Sequence, residues 1–167
     1  KMKDVLRLFG LLKMIFKDDG FTLGDVVDDL CDLAESNRKM LGIDNVQVLQ
    51  SNWFSALKEP ALSAKRFDLI ISNPPYIDKD DHHLCEGDVS FEPLSALVAD
   101  DAGLADIKHI TAAASDFLNP GGYLLFEHGY NQAAVVRNIL TAAGFASVKS
   151  EKDLNGNDRA TLGCWPS

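Results

Sequence analysis

The sequence predicts an α/β fold: a mostly parallel sheet with helices on both faces and an antiparallel hairpin at its carboxyl end. Three observations carry this prediction. From residue 21 onward, short apolar runs alternate with amphipathic stretches, the rhythm of strands joined by crossover helices. Phe67–Ser72 (FDLIIS) has the composition of a buried strand and is halted by Asn73-Pro74-Pro75. Two final apolar runs flank Asn155-Gly156-Asn157, a hairpin turn signal.

Each element follows from local pattern. Over residues 1–20, Val5, Leu8, Leu12, Ile15 and Phe16 fall on one helical face, which predicts an amphipathic segment set apart from a domain spanning 21–167. Arg7 and Lys13 interrupt its apolar stretch and no small-residue cleavage site follows, which argues against a secretory leader. The chain opens on Lys1 rather than an initiator Met, as a trimmed or partial chain would. Phe21–Asp25 reads as a short strand, Asp29–Leu41 as a helix stopped by Gly42, and Val46–Gln50 as a strand. Residues 77–102 form a long acidic connection with a short helix near Leu94–Val98. Gly103–Leu118 reads as a helix closed by Asn119-Pro120-Gly121-Gly122. Tyr123–Glu127 is a strand, Gln132–Ala143 a helix ended by Gly144, and Ala146–Lys152 and Arg159–Cys164 are strands.

Composition narrows the function classes. The chain has 167 residues, enough for one domain with a substantial core. A net charge of −9 repels phosphate backbones, so no direct nucleic-acid partner is expected. No apolar run is long enough to cross a bilayer, so no membrane partner is expected. Cys31, Cys85 and Cys164 form no C-x-x-C pair, which suits a cytoplasmic chain rather than a disulfide scaffold or zinc ribbon. His82 and His83 lie near Asp80, Asp81 and Glu86 without regular ligand spacing, so no metal is expected.

The residues that carry chemistry are Asn73, Pro74, Pro75 and Tyr76, at the carboxyl end of a central strand, where open α/β sheets place ligands. The Asn73 side-chain oxygen and the Pro74 carbonyl are acceptors on a stiff turn. Together they can take both hydrogens of an NH₂ group and aim its lone pair, while the Tyr76 ring packs on a flat amide. Positive charge that develops on the nitrogen is stabilised by those dipoles, and positioning supplies the rest of the acceleration. A plain proline turn with no ligand is the competing reading.

The run FDLIISNPPYI resembles the motif strand of amino-group methyltransferases. Asp80, His83-Leu84, Gly87-Asp88-Val89, Phe91-Glu92-Pro93-Leu94 and Ala96-Leu97 extend the resemblance to the release-factor glutamine methyltransferases. So do Pro120-Gly121-Gly122, Glu127-His128-Gly129, Gln132, Gly144-Phe145, Asp153-Leu154 and Thr161-Leu162-Gly163, and upstream Leu49–Phe54 (LQSNWF). The resemblance covers residues 25–165. It implies a Rossmann-like fold that uses S-adenosylmethionine to methylate the glutamine amide in the Gly-Gly-Gln loop of a peptide chain release factor, acting as a monomer. It carries the glutamine site onto Asn73, Pro74, Pro75 and Tyr76, with Asn73 and Pro74 catalytic and Asn73 also near the cofactor. The adenine-side aromatic falls on Trp53 and the ribose-binding acid on Asp25, with Asp28 the rival; an ordinary core Trp and helix-capping Asp are the alternatives.

Two departures stand out. The family opens with a D-x-G-x-G-x-G turn, and no two glycines here are spaced G-x-G. The family's helical amino-terminal domain has no counterpart in these 167 residues. Two other functions therefore stand beside the first: a remnant or binding module of the same fold without cofactor, and a DNA amino-group methyltransferase, which the acidic charge opposes.

Overall fold

Four strands form one mixed sheet in a computed structural model that describes residues 24–43, 47–51, 53–60, 63, 66–76 and 100–167. The strands are β1 (Phe67–Ser72), β2 (Leu118–Glu127), β3 (Ala146–Lys152) and β4 (Asp158–Cys164), and they lie in the order β1-β2-β4-β3. The helices are α1 (Gly24–Met40), the short α2 (Asp100–Gly103), α3 (Ala105–Ala114) and α4 (Ala133–Ala142). The chain divides into two units, Lys1–Lys65 and Arg66–Ser167.

In the first unit, α1 begins five residues earlier than the sequence pattern suggests. Asp25 belongs to its first turn and Asp28 follows one turn later, so neither acid ends a strand. That corrects the strand expected over Phe21–Asp25, of which residues 21–23 lie outside the described residues. The physical reason is a period ambiguity. Val26-Val27 reads as β-prone in isolation, yet Val26, Val27, Leu30 and Ala34 also fit helical spacing, and acids are favoured at a helix start. The other end matches expectation. Gly42 adopts φ +63°, its N–H meets the Lys39 carbonyl at 3.1 Å, and the Ile43 N–H meets the Arg38 carbonyl at 3.0 Å. This is the paired closure that favours glycine. Arg38 adds a side-chain bond to the Ile43 carbonyl at 2.8 Å and a fork onto Glu35, which holds the Glu35 carboxyl below its ordinary pKa. Gln47–Gln50 carries no regular element, so the strand expected at Val46–Gln50 is absent there, and Val46 lies outside the described residues.

In the second unit, β1 has the bounds the sequence predicts. It pairs parallel with β2, from Leu69 opposite Tyr123 to Ser72 opposite Phe126. β2 pairs antiparallel with β4, and β4 antiparallel with β3. Among the described residues one of the three pairings is parallel, and the antiparallel hairpin predicted at the carboxyl end is present.

β2 starts at Leu118, inside the helix expected over Gly103–Leu118; α3 ends at Ala114. Asn119–Gly122 interrupts the β1–β2 register between Leu118 and Tyr123 rather than ending a helix. The interruption is tied down on both sides. Asn119 Nδ2 donates to Asp68 Oδ1 at 2.8 Å. The Gly121 N–H reaches the Trp165 carbonyl at 2.9 Å, and the Trp165 N–H reaches the Gly122 carbonyl at 2.7 Å. Backbone groups that left the ladder are thereby satisfied.

α3 lies on β2, and α4 lies on β3 and β4. Ile70, Ile107, Ile110, Leu124, Phe126, Val136 and Leu140 are buried between them. Each such side chain contributes about 1.5–3 kcal/mol relative to exposure. Phe145 and Trp165 close one end of the core edge to face, ring centroids 5.1 Å apart. The hairpin turn has Gly156 at φ +85°, and Asp153 Oδ1 accepts the N–H groups of Asn155 and Asn157 at 2.9 Å each.

The amphipathic segment expected over 1–20, the short helix near Leu94–Val98 and the His82-His83 pair lie outside the described residues.

Candidate functional site

The buried face of β1 delivers Asn73-Pro74-Pro75-Tyr76 to the carboxyl end of the sheet. Pro74 and Pro75 are buried, which anchors the turn, while Asn73 and Tyr76 are half-buried beside them. The Asn73 side-chain amide makes no hydrogen bond with the described residues. A half-buried amide without an internal partner, beside a proline-locked backbone, suits a polar ligand.

Gln132 closes the turn from across the sheet. Its Nε2 donates to the Tyr76 carbonyl at 3.0 Å. Its Oε1 accepts from the Gly129 N–H at 2.9 Å. Gln132 also occupies the N-cap of α4, yet its side chain caps no helix amide. The Tyr76 carbonyl is further enclosed by Gly103, which sits at φ +76°. A Cβ there would lie 2.2 Å from the Tyr76 oxygen and 2.9 Å from Gln132 Nε2, so only glycine fits.

Behind the Gly129 turn runs a buried polar chain. His128 is fully buried. Its Nδ1 lies 2.9 Å from the Gly129 carbonyl, an acceptor only, so Nδ1 carries the proton. Burial pushes the imidazole pKa below its ordinary value, which favours the neutral ring. Nε2 then accepts from the Thr161 hydroxyl at 2.7 Å. Thr161 lies 2.7 Å from Ser150, and Arg137 donates to Ser150 at 2.7 Å. Donation runs one way, from Arg137 through Ser150 and Thr161 to His128 and on to Gly129. Arg159 adds a bond to the His128 carbonyl at 3.3 Å, and the His128 N–H meets the Arg159 carbonyl at 3.0 Å.

In the first unit, Trp53 is half-buried at φ +48°, in the left-handed region. Ser51 holds that turn: its hydroxyl donates to the Trp53 carbonyl at 2.8 Å and accepts the Ala56 N–H at 2.9 Å. Phe54 and Leu57 bury themselves beneath it. Asp25 lies in α1, as described. Sequence reasoning brought out Asn73–Tyr76 and missed the structural weight of Gly103 and Gln132. The proximity of Gln132 to Gly129 was a usable signal; the contact with Tyr76, 56 residues away, left none.

Among the described residues no group of three or more His, Cys, Asp or Glu could hold a metal ion, and no helix is long and apolar enough to cross a membrane.

The model of a methyltransferase domain matches residues 8–165. The chain belongs to the methyltransferase-domain family. This methyltransferase domain is 48% identical over 144 residues to a protein named release factor glutamine methyltransferase from Shewanella oneidensis, covering 86% of this chain and 49% of that one. It is 52% identical over 144 residues to the protein of the same name from Pseudomonas aeruginosa, covering 86% of this chain and 50% of that one. The chain thus spans about half the length of the curated relatives it matches. A methyltransferase crystal structure from Pyrococcus furiosus shares the fold, with a TM-score of 0.59 at 18% identity over 84% of this chain and 59% of that one.

Proposed function

We propose that this methyltransferase domain transfers a methyl group from S-adenosylmethionine to the side-chain amide of the Gly-Gly-Gln glutamine in a peptide chain release factor. The observation that carries the reading is the Asn73-Pro74-Pro75-Tyr76 turn at the carboxyl end of β1, its prolines buried and the Asn73 amide without a described partner. About half identity to proteins named for this activity supports the substrate.

The half-buried Asn73 amide, at the carboxyl end of β1, suits the polar end of a methyl donor. By resemblance to the family, Asn73 would lie near the donor, while Trp53 is the adenine-side aromatic and Asp25, with Asp28 as its rival, the ribose acid. When bound, S-adenosylmethionine supplies an electrophilic methyl group on a positively charged sulfur. The chain's own residues then handle the nucleophile. Asn73 Oδ1 and the Pro74 carbonyl accept the two N–H groups of the glutamine amide and turn its lone pair outward. The same oxygens stabilise positive charge as it grows on nitrogen. Tyr76 packs against the amide plane and limits its rotation, so alignment rather than a strong base drives the step, and one amide proton passes to solvent once the nitrogen–methyl bond has formed.

The test is transfer of a labelled methyl group to a release factor, run beside the version whose Gly-Gly-Gln glutamine is alanine. Label on the first and none on the second is the expected result; equal labelling, or none on either, overturns it. The absence of G-x-G spacing favours a second reading, a partner-binding module that takes no cofactor. Titration calorimetry with S-adenosylmethionine separates the two, since a folded chain that gives no heat at millimolar donor supports the module.

A further inference from the structure

We infer that Gln132 is a positioning residue: it ties the Asn73–Tyr76 turn to the Gly129 turn, so that the start of α4 sets the orientation of the amide-binding acceptors. The inference rests on reading Asn73–Tyr76 as the amide site.

Each end of the tie has its own geometry. Nε2 can only donate, and it meets the Tyr76 carbonyl at 3.0 Å. Oε1 can only accept, and it meets the Gly129 N–H at 2.9 Å. The side chain therefore reads two unlike backbone groups at once, which a carboxylate or a hydrocarbon of equal length cannot do. It gives up the capping role open to an N-cap residue in order to do so.

Both anchor points are themselves fixed. The Gly129 carbonyl receives the Gln132 N–H at 2.9 Å and His128 Nδ1 at 2.9 Å, and His128 is braced through Thr161 and Ser150 to Arg137. On the other side, the Tyr76 carbonyl and Nε2 occupy the space where a side chain at position 103 would stand, which only glycine leaves open. A tie between two rigid points transmits position rather than merely adding stability.

The full 167-residue chain carries the test, as the Gln132→Glu and Gln132→Leu variants. Gln132→Glu retains an acceptor for Gly129 and loses the donor to Tyr76; Gln132→Leu loses both. Amide resonances and hydrogen exchange read the two ends separately. In Gln132→Glu the Gly129 amide stays protected as in the unaltered chain, while the Asn73 and Tyr76 resonances shift and broaden. In Gln132→Leu the Gly129 amide also exchanges about tenfold faster, the factor expected for loss of one ordinary hydrogen bond. Methyl transfer falls about tenfold in kcat in both variants, with KM for the donor unchanged. Asn73 and Tyr76 resonances that stay in place in both variants overturn the inference, as does a kcat equal to that of the unaltered chain. If the unaltered chain transfers no methyl group while the resonance pattern appears as described, the proposed function fails and the tie stands. Should Gln132→Leu not fold, Gln132→Glu alone decides, because it preserves size and the Gly129 contact.

Discussion

Asn73 is the residue on which the proposed chemistry turns. Asn73→Ala removes one of two acceptors aimed at the nucleophile, so kcat is expected to fall about 10²–10³-fold, the loss seen when one preorganised polar group is deleted. Donor affinity, measured by calorimetry, should change far less, because the lost contact acts mainly on the developing charge. Thr111 offers a contrasting test away from the site. Its hydroxyl is buried in α3 with no hydrogen-bond partner among the described residues. Thr111→Val keeps the shape and removes the unsatisfied group, and should leave stability unchanged or raise it by about 1 kcal/mol in urea denaturation. Residue by residue, the legible parts of the site were those whose chemistry is local. Asn-Pro-Pro-Tyr announces itself because two prolines fix a turn wherever they stand. Gly103 does not: its requirement for glycine comes from a carbonyl 27 positions earlier in the chain, pressed against it by the fold. The strand end expected at Asp25 was misread for the opposite reason, since Val26-Val27 satisfies two periods at once and only the fold chooses between them.

Among the elements, the strand ends after β2 and β3 respond to pH. His128 is neutral in the folded chain because burial lowers its pKa, whereas an unfolded chain leaves it at the ordinary value of about 6.5. The unfolded state therefore binds more protons between those two values. The stabilisation is complete above about pH 6.5 and is lost as pH falls through that value toward the lower folded one. Urea midpoints followed from pH 7.5 to 5 should decline in the unaltered chain and decline less in His128→Gln; parallel curves would remove the assignment. Asp153 acts in a more acidic window. The Asn157 N–H, then that of Asn155, keeps its carboxyl below the usual range, so its contribution is lost only as pH falls through the carboxylate region. β1, β3 and the hairpin were readable from apolar alternation and Asn-Gly. The start of β2 was not: Asn119-Pro120-Gly121-Gly122 has every mark of a helix stop, yet its backbone pairs with Trp165 and its Asn119 side chain with Asp68, partners remote in sequence.

The whole chain carries a charge of −9, and residues 78–106 hold nine acids against Lys79, a net −8. A field that lopsided steers basic partners and repels polyanions. Replacing Asp80, Asp81 and Asp88 by Asn should slow association with a release factor several-fold at low salt, with the difference vanishing as salt rises. Stopped-flow binding across salt concentrations checks this, and an unchanged rate at low salt removes the steering. The sheet's layout also bears on how the chain acquires its shape. β3 and β4 join through a tight hairpin, whereas β1 must find β2 across some fifty residues. Closing so long a loop is entropically slow, so the hairpin should gain hydrogen-exchange protection in a refolding pulse ahead of β1. The turn that would grip the glutamine is then among the last parts of the chain to take form, and a molecule arrested before that seam zips would be folded at its tail yet blind to substrate.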